Sequence, residues 1–204
     1  MRALRILPVL SLTVVGTLAA TPLATADDWV VDPAHTEITF SVNHFFTPVT
    51  GKFDAFDIQL DYDPANPEAS TVEVTLDVAS VNTNNEKRDK HLKSEDFFEA
   101  EAHPQITFKS TSVRLVEEGK LVATGPLTIK GVSHQIELPV NLLGVQDIPA
   151  EMRDMLGGAE KIASFAASTE VDRRDFGVGV GSWAATLVVG GDVSIDITLE
   201  AALK

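Results

Sequence analysis

The sequence predicts an all-β protein of about eight antiparallel strands, each with one face buried and one in water. Three observations predict it. Residues Thr36–His44 alternate strictly, with Ile38, Phe40, Val42 and His44 on one face and Glu37, Thr39, Ser41 and Asn43 on the other. That period of two marks a half-buried strand. The same pattern returns down the chain with short connections, which favours antiparallel neighbours. No long amphipathic helix rivals it. Such strands can stack as a sandwich or close on themselves. Closure removes exposed edges, and about eight strands can leave room for one small ligand.

Trp29–Asp32 opens the first strand, and Thr36–His44 continues it after the Asp32-Pro33 turn. Phe45–Gly51, with the breakers Pro48 and Gly51, reads as a connection. Phe56, Ile58, Leu60 and Tyr62 alternate with Asp57, Gln59 and Asp61, and Pro64 and Pro67 end that strand. Val72, Val74, Leu76 and Val78 form the next. A helical insert follows. Asn84 can cap a short helix through about Leu92, Ser94 can cap a further turn carrying Phe97 and Phe98, and His103-Pro104 stops it.

Ile106, Phe108 and Ser110 resume the strand pattern, and Val113–Val116 extends it. Glu117-Glu118-Gly119 reads as a hairpin turn into Leu121–Ile129, with a bulge or bend at Gly125-Pro126. Lys130-Gly131 is a tight turn into the strand of Ile136, Leu138, Val140 and Leu142. Pro139 has no N–H to give, so that strand is expected at an edge or with a bulge. Asp147–Leu156 reads as a short helix, with Asp147 as its cap and Gly157 at its stop. Ser164–Val171 is a strand and Asp172–Gly181 a glycine-rich loop. Ala184–Val189 and Val193–Ala201 are expected to pair through a Gly190-Gly191 hairpin.

The first 26 residues are expected to stand outside this fold. Arg2 and Arg5, the apolar Ile6–Ala20 and the Ala24-Thr25-Ala26 site form a secretory signal peptide pattern. Thr13, Thr17, Thr21 and Pro22 interrupt the apolar run, which argues against a membrane anchor. Cleavage near Ala26 would leave residues 27–204 as one domain in the periplasm, or secreted. The net charge of −14 would become −16 once Arg2 and Arg5 are lost. So acidic a chain is a poor partner for nucleic acid or an anionic membrane surface, and no stable membrane insertion is expected. Cysteine is absent, which removes disulfides, thiolate nucleophiles and Cys-ligated metal together.

No catalytic constellation stands out. His35, His44, His91, His103 and His134 sit in no metal-ligand spacing, so they read as packed or surface imidazoles and no metal is expected. Asp175-Phe176-Gly177 lacks the other kinase motifs, and no G-x-S-x-G occurs. Lys87, Arg88, Lys90, His91 and Lys93 form the densest basic cluster. It is either a solvated helix face balanced by Glu86, Asp89 and Glu95, or an entrance that meets a polar head. The phenylalanines carry more information. Phe40, Phe53, Phe56, Phe108 and Phe165 lie on strands or at their starts, as core filling or as the wall of a hollow.

Six blocks, in order, carry a resemblance. They are Trp29–His44 with Gly51-Lys52-Phe53 and Phe56; Arg88–Phe98; Pro104–Ser110; Gly125–Val132; Asp172–Gly177; and Val193–Glu200. Together they resemble the YceI family of polyisoprenoid-binding, lipocalin-like proteins over essentially all of residues 27–204. The resemblance implies an elongated, eight-stranded antiparallel barrel with a short helical insert and a lipid in its pore, and no catalytic residues. The expected ligand-binding wall is Ile38, Phe40, Val42, Phe53, Phe56, Ile58, Ile106, Phe108, Leu127, Ile129 and Phe165, with His44 and Trp183 at the head or mouth.

The expected function is carriage or sequestration of a long apolar chain: a polyprenyl lipid, an isoprenoid quinone, or a fatty amide or acid. Beyond that small molecule no cofactor is expected, and a homodimer is the one protein partner entertained. Two alternatives stay open. One is a metal- or quinone-assisted detoxification enzyme, and the other a structural module with a filled barrel.

Overall fold

The structure is a computed structural model that describes residues 29–204; the expected signal peptide lies outside the described residues. Twelve strands form one sheet. They are β1 (Trp29–Val31), β2 (Glu37–His44), β3 (Thr47–Phe53), β4 (Phe56–Asp61), β5 (Thr71–Asp77), β6 (Val81–Asn82), β7 (Gln105–Lys109), β8 (Ser112–Glu117), β9 (Lys120–Ile129), β10 (Val132–Asp147), β11 (Lys161–Asp172) and β12 (Val189–Leu203). Among the described residues, two short helices, α1 (Glu86–Leu92) and α2 (Ala150–Arg153), accompany them.

The twelve strands make eight barrel staves, because four staves are broken. β1 and β2 both run antiparallel along β12. β4 and β3 follow as the next stave, on β1 and β2 respectively. β5 and β6 pair with β4 and β3. β7 and β8 both run along β9, and β9 to β12 are continuous neighbours. The β1–β12 pairing shuts the ring, so the barrel is closed and antiparallel throughout.

The breaks have local causes. Asp32 caps a 3-10 turn, Pro33–His35, by accepting from the Ala34 N–H at 2.9 Å. Asp77 caps another, Val78–Ser80, through the Ala79 N–H at 2.8 Å. Between β7 and β8 the backbone crosses β9 so closely that a Cβ on Gly125 would lie 2.0 Å from the Lys109 carbonyl oxygen. Only glycine fits there.

Several expected boundaries move. Phe45–Gly51 is not a connection: β2 and β3 meet in a two-residue turn, with His44 opposite Thr47. Asn85, not Asn84, caps α1, accepting from the Arg88 N–H at 3.1 Å. Asp147 ends β10 rather than capping a helix, and α2 starts at Ala150 behind Pro149. Gly157 does stop that segment, at φ 65°. Gly190-Gly191 is not a hairpin. Both lie inside β12, at a register shift against β2, and the segment before them is a 3-10 turn, Gly181–Ala184, and loop. A Cβ at Gly191 would meet the Arg174 guanidinium at 3.1–3.3 Å, while one at Gly190 would lie in ordinary contact with the Asn43 backbone. Pro139 sits in an interior strand, but β10 carries no ladder to β11 before Val140.

Candidate functional site

Inward-facing residues of the staves leave two adjoining chambers along the barrel. The first has about 160 Å³ open to the centre of a water-sized sphere. A single water needs about 10–15 Å³ on that measure, so this is not a packing defect. Its wall is aliphatic and aromatic. Ile38, Phe40 and Val42 come from β2, Phe53 from β3, Val74 and Leu76 from β5, Ile106 and Phe108 from β7, Leu127 and Ile129 from β9, and Ile195 and Ile197 from β12. Leu92, Phe97 and Phe98 reach it from α1 and the turns after it, and Val178 from the loop beyond β11.

The second chamber, about 80 Å³, lies toward the other end. Ile58 and Leu60 of β4, Leu121 and Ala123 of β9, Phe165 of β11 and Leu199 of β12 line it. Val74, Leu138 and Ile197 belong to both chambers, so the two are continuous neighbours. Tyr62 stands in the second chamber, edge-to-face with Phe165 at 5.0 Å and tilted on Trp29 at 5.8 Å. Burial raises its hydroxyl above the ordinary tyrosine value, so it stays neutral.

The structure places ten of the expected wall residues on these chambers: Ile38, Phe40, Val42, Phe53, Ile106, Phe108, Leu127 and Ile129 on the first, Ile58 and Phe165 on the second. Three lie elsewhere. His44 is exposed at the end of β2, its ring edge-on to Phe45 at 4.9 Å. Phe56 starts β4 just after a stave break and lies half-buried in an outer depression with Pro33 and His35. Trp183 rides on the 3-10 turn and packs its ring on His91 at 5.0 Å and Phe97 at 5.7 Å.

One charged group on the first chamber goes beyond the expected list. Arg173 is 5% exposed and lines the wall. Its Nε donates to the Gly190 carbonyl at 2.7 Å. Its Nη1 donates to Val178 at 2.7 Å and Gly179 at 3.4 Å, and its Nη2 to Trp183 at 2.7 Å and Val189 at 3.0 Å. A guanidinium has five N–H donors, and carbonyls take all of them. Burial lowers its pKa from the ordinary arginine value. The loop from Arg173 to Val189 is thus fastened over the α1 end of the barrel. The φ of +82° at Gly179, and the 2.2 Å between a Cβ there and Arg173 Nη1, explain the glycine. The signal was present in the Asp172-Arg173-Arg174-Asp175-Phe176-Gly177 block, but nothing in spacing says which arginine turns inward.

The basic cluster also lies at this end, since Leu92 reaches the chamber and His91 packs on Trp183. Arg88 is committed to Thr83, with Nε to Oγ1 and Nη2 to the carbonyl both at 2.7 Å, and Lys93 donates to the Ala79 carbonyl at 3.1 Å. Among the described residues one group of possible metal ligands gathers, Asp32, His35 and Glu200, on the outer surface. The His35–Asp32 hydrogen bond, 2.7 Å, accounts for its core.

Comparison with known proteins places these features. Residues 29–201 match the YceI-like domain family. A UPF0312 protein of Vibrio cholerae is 38% identical over 160 residues, 77% of this chain and 80% of that one. A UPF0312 protein of Shewanella putrefaciens is 36% identical over 190 residues, 92% and 93% of the two chains. Among solved structures, Burkholderia cenocepacia BcnA superposes with a TM-score of 0.75 at 28% identity, covering 85% of this chain and all of that one. A polyisoprenoid binding domain from Saccharophagus degradans, implicated in plant cell wall breakdown, superposes at 0.62 and 15% identity over 87% and 99% of the two chains, a likeness of fold. With the closed eight-stave barrel and a family match over nearly all the described residues, the chain belongs to the YceI-like domain family.

Proposed function

We propose that this protein binds a long apolar chain, an isoprenoid or a similar amphiphile, and carries or sequesters it. The observation that carries the reading is the pair of adjoining apolar chambers, lined from nearly every stave. Each buried CH₂ is worth about 0.8 kcal/mol. A ten-carbon stretch thus gains about 8 kcal/mol, before the cost of ordering the chain. The fold likeness to a domain described as polyisoprenoid binding supports the same ligand class. The ten chamber residues identified above form the proposed contact surface.

The head group is proposed to be neutral, as in a quinone or an alcohol. Arg173 has spent its donors on carbonyls. Of the basic cluster at this end, Arg88 and Lys93 are committed to Thr83 and Ala79, which leaves only Lys87, Lys90 and His91 to set against a net charge of −14 that opposes a pyrophosphate. Binding rather than catalysis is the proposed role, since the wall offers aliphatic and aromatic contacts and almost no polar group. Export is proposed, with cleavage near Ala26, to the periplasm or to secretion beyond it. The experiment is uptake: delipidated protein is incubated with an isoprenoid quinone in detergent micelles and its mass is read under native conditions. A one-to-one complex supports the reading, and no uptake of quinone, polyprenol or fatty amide contradicts it.

A further inference from the structure

We propose that the tip of the α1 end docks onto the surface of a zwitterionic lipid bilayer, an inference that rests on the lipid-binding reading above. Phe45 and Phe46 form the two-residue turn between β2 and β3, and Phe46 is 96% exposed. Leu187, 79% exposed, lies beside them, because the Phe45 N–H donates to the neighbouring Val188 carbonyl at 2.8 Å. Such turns normally take Asn-Gly or Asp-Gly, which tolerate positive φ. This chain places Phe45 there at φ 53°. A bulky side chain in the left-handed region is strained, and Phe46 gains no burial in return. Phe45 keeps only an edge-on contact with His44 at 4.9 Å and stays 53% exposed, so the aromatic pair points to a partner.

The surroundings say which partner. No Asp, Glu, Lys or Arg occurs from Ile38 to Gly51, nor from Phe176 to Gly191, in a chain that is 23% charged. These are the two segments that meet at the tip. A bilayer interface penalises charge and accepts aromatic and aliphatic side chains. The tip is also continuous with the first chamber: Val42 and Val189 line it, and Val189 pairs with His44. Docking there would bring the chamber's end against the pool of lipid it draws from. Lys87 and Lys90 of α1, exposed at this end, are balanced by the exposed Glu86 and Glu95, so the chain's net charge of −14 sets the preference for a neutral over an anionic surface.

The test uses the protein from Asp27 onward, which keeps every strand and helix described, and phosphatidylcholine vesicles in a sedimentation assay. The protein is expected to co-sediment, less so when phosphatidylglycerol is added at low salt. Phe45→Ser with Phe46→Ser is expected to weaken the partition at least about tenfold, from two lost aromatic anchors. Met155→Ser, at the opposite end and 73% exposed, is expected to change it less than twofold. Quinone uptake from micelles should stay intact in both variants, which separates this proposal from the chamber reading. Absence of vesicle binding, equal loss in the Met155 variant, tighter binding to anionic vesicles, or a Phe45-dependent dimer in solution would each overturn it.

Discussion

Nη2 of Arg173 donates to the main-chain carbonyl of Trp183 at 2.7 Å, tying the end of β11 to a turn ten residues on. The same guanidinium holds Val178, Gly179, Val189 and Gly190. One side chain therefore fixes the backbone that closes the first chamber. A buried charge is costly unless its hydrogen bonds are all made, and here they are.

Arg173→Met is expected to lower stability by about 2–4 kcal/mol. Each bond to a charged donor contributes about 1.5–3 kcal/mol, and relief of the buried charge offsets part of the loss. Urea unfolding measures this. Amide exchange should rise first in residues 178–190, ahead of the barrel strands.

Gly51→Ala is expected to shrink the first chamber. A Cβ there would lie 2.4 Å from the Phe40 ring and 2.7 Å from Thr83 Cγ2. Phe40 lines the chamber, so its ring must turn or shift. The overpacking should cost about 1–3 kcal/mol, and quinone uptake should fall. An unchanged affinity would show that the ligand does not reach Phe40.

Val74→Phe fills the junction of the two chambers, where Val74 faces both. Because the added ring enters empty space, the stability change should stay within about 1.5 kcal/mol. Binding of long isoprenoid chains should drop while short ones still enter. A chain-length series read by native mass spectrometry checks this.

The pH dependence has a readable component at Asp172. The Arg174 side chain, followed by its backbone N–H against an opposing burial effect, lowers the Asp172 carboxyl from 3.8 to about 2. A depressed carboxylate stabilises the fold above its unfolded value and loses that contribution as pH falls through its folded value. The stability difference between wild type and Asp172→Asn should therefore be constant above about pH 5, fall as pH drops through 3.8 toward 2, and lose its pH-dependent part only at about pH 1. Denaturation curves across that window test it.

Much of the barrel was legible because alternation is a strong signal. Ile38, Phe40 and Val42 turn inward as their spacing demands, and Lys130-Gly131 is a tight turn at φ 49° and 74°. The misreadings share one cause. Gly190-Gly191 and Phe45-Phe46 exchanged roles, since the glycines lie inside β12, Gly191 in close approach to the Arg174 side chain, and the aromatic pair takes the turn. Such contacts are long-range and leave no local trace. His44 and Trp183 follow the same logic: both sit near the expected end, but a hairpin tip and a 3-10 turn set their direction, not strand parity. The breaks that split four staves were visible only as prolines, aspartates and Gly125, without a register to join the halves.

The central claim is that the two chambers hold a chain-like guest. Protein purified without detergent and extracted into organic solvent tests it most directly, by mass analysis of what is released. One apolar chain-bearing molecule per barrel is expected, reduced in the Gly51→Ala variant. Recovery of bare protein that also refuses isoprenoid chains of every length would contradict it.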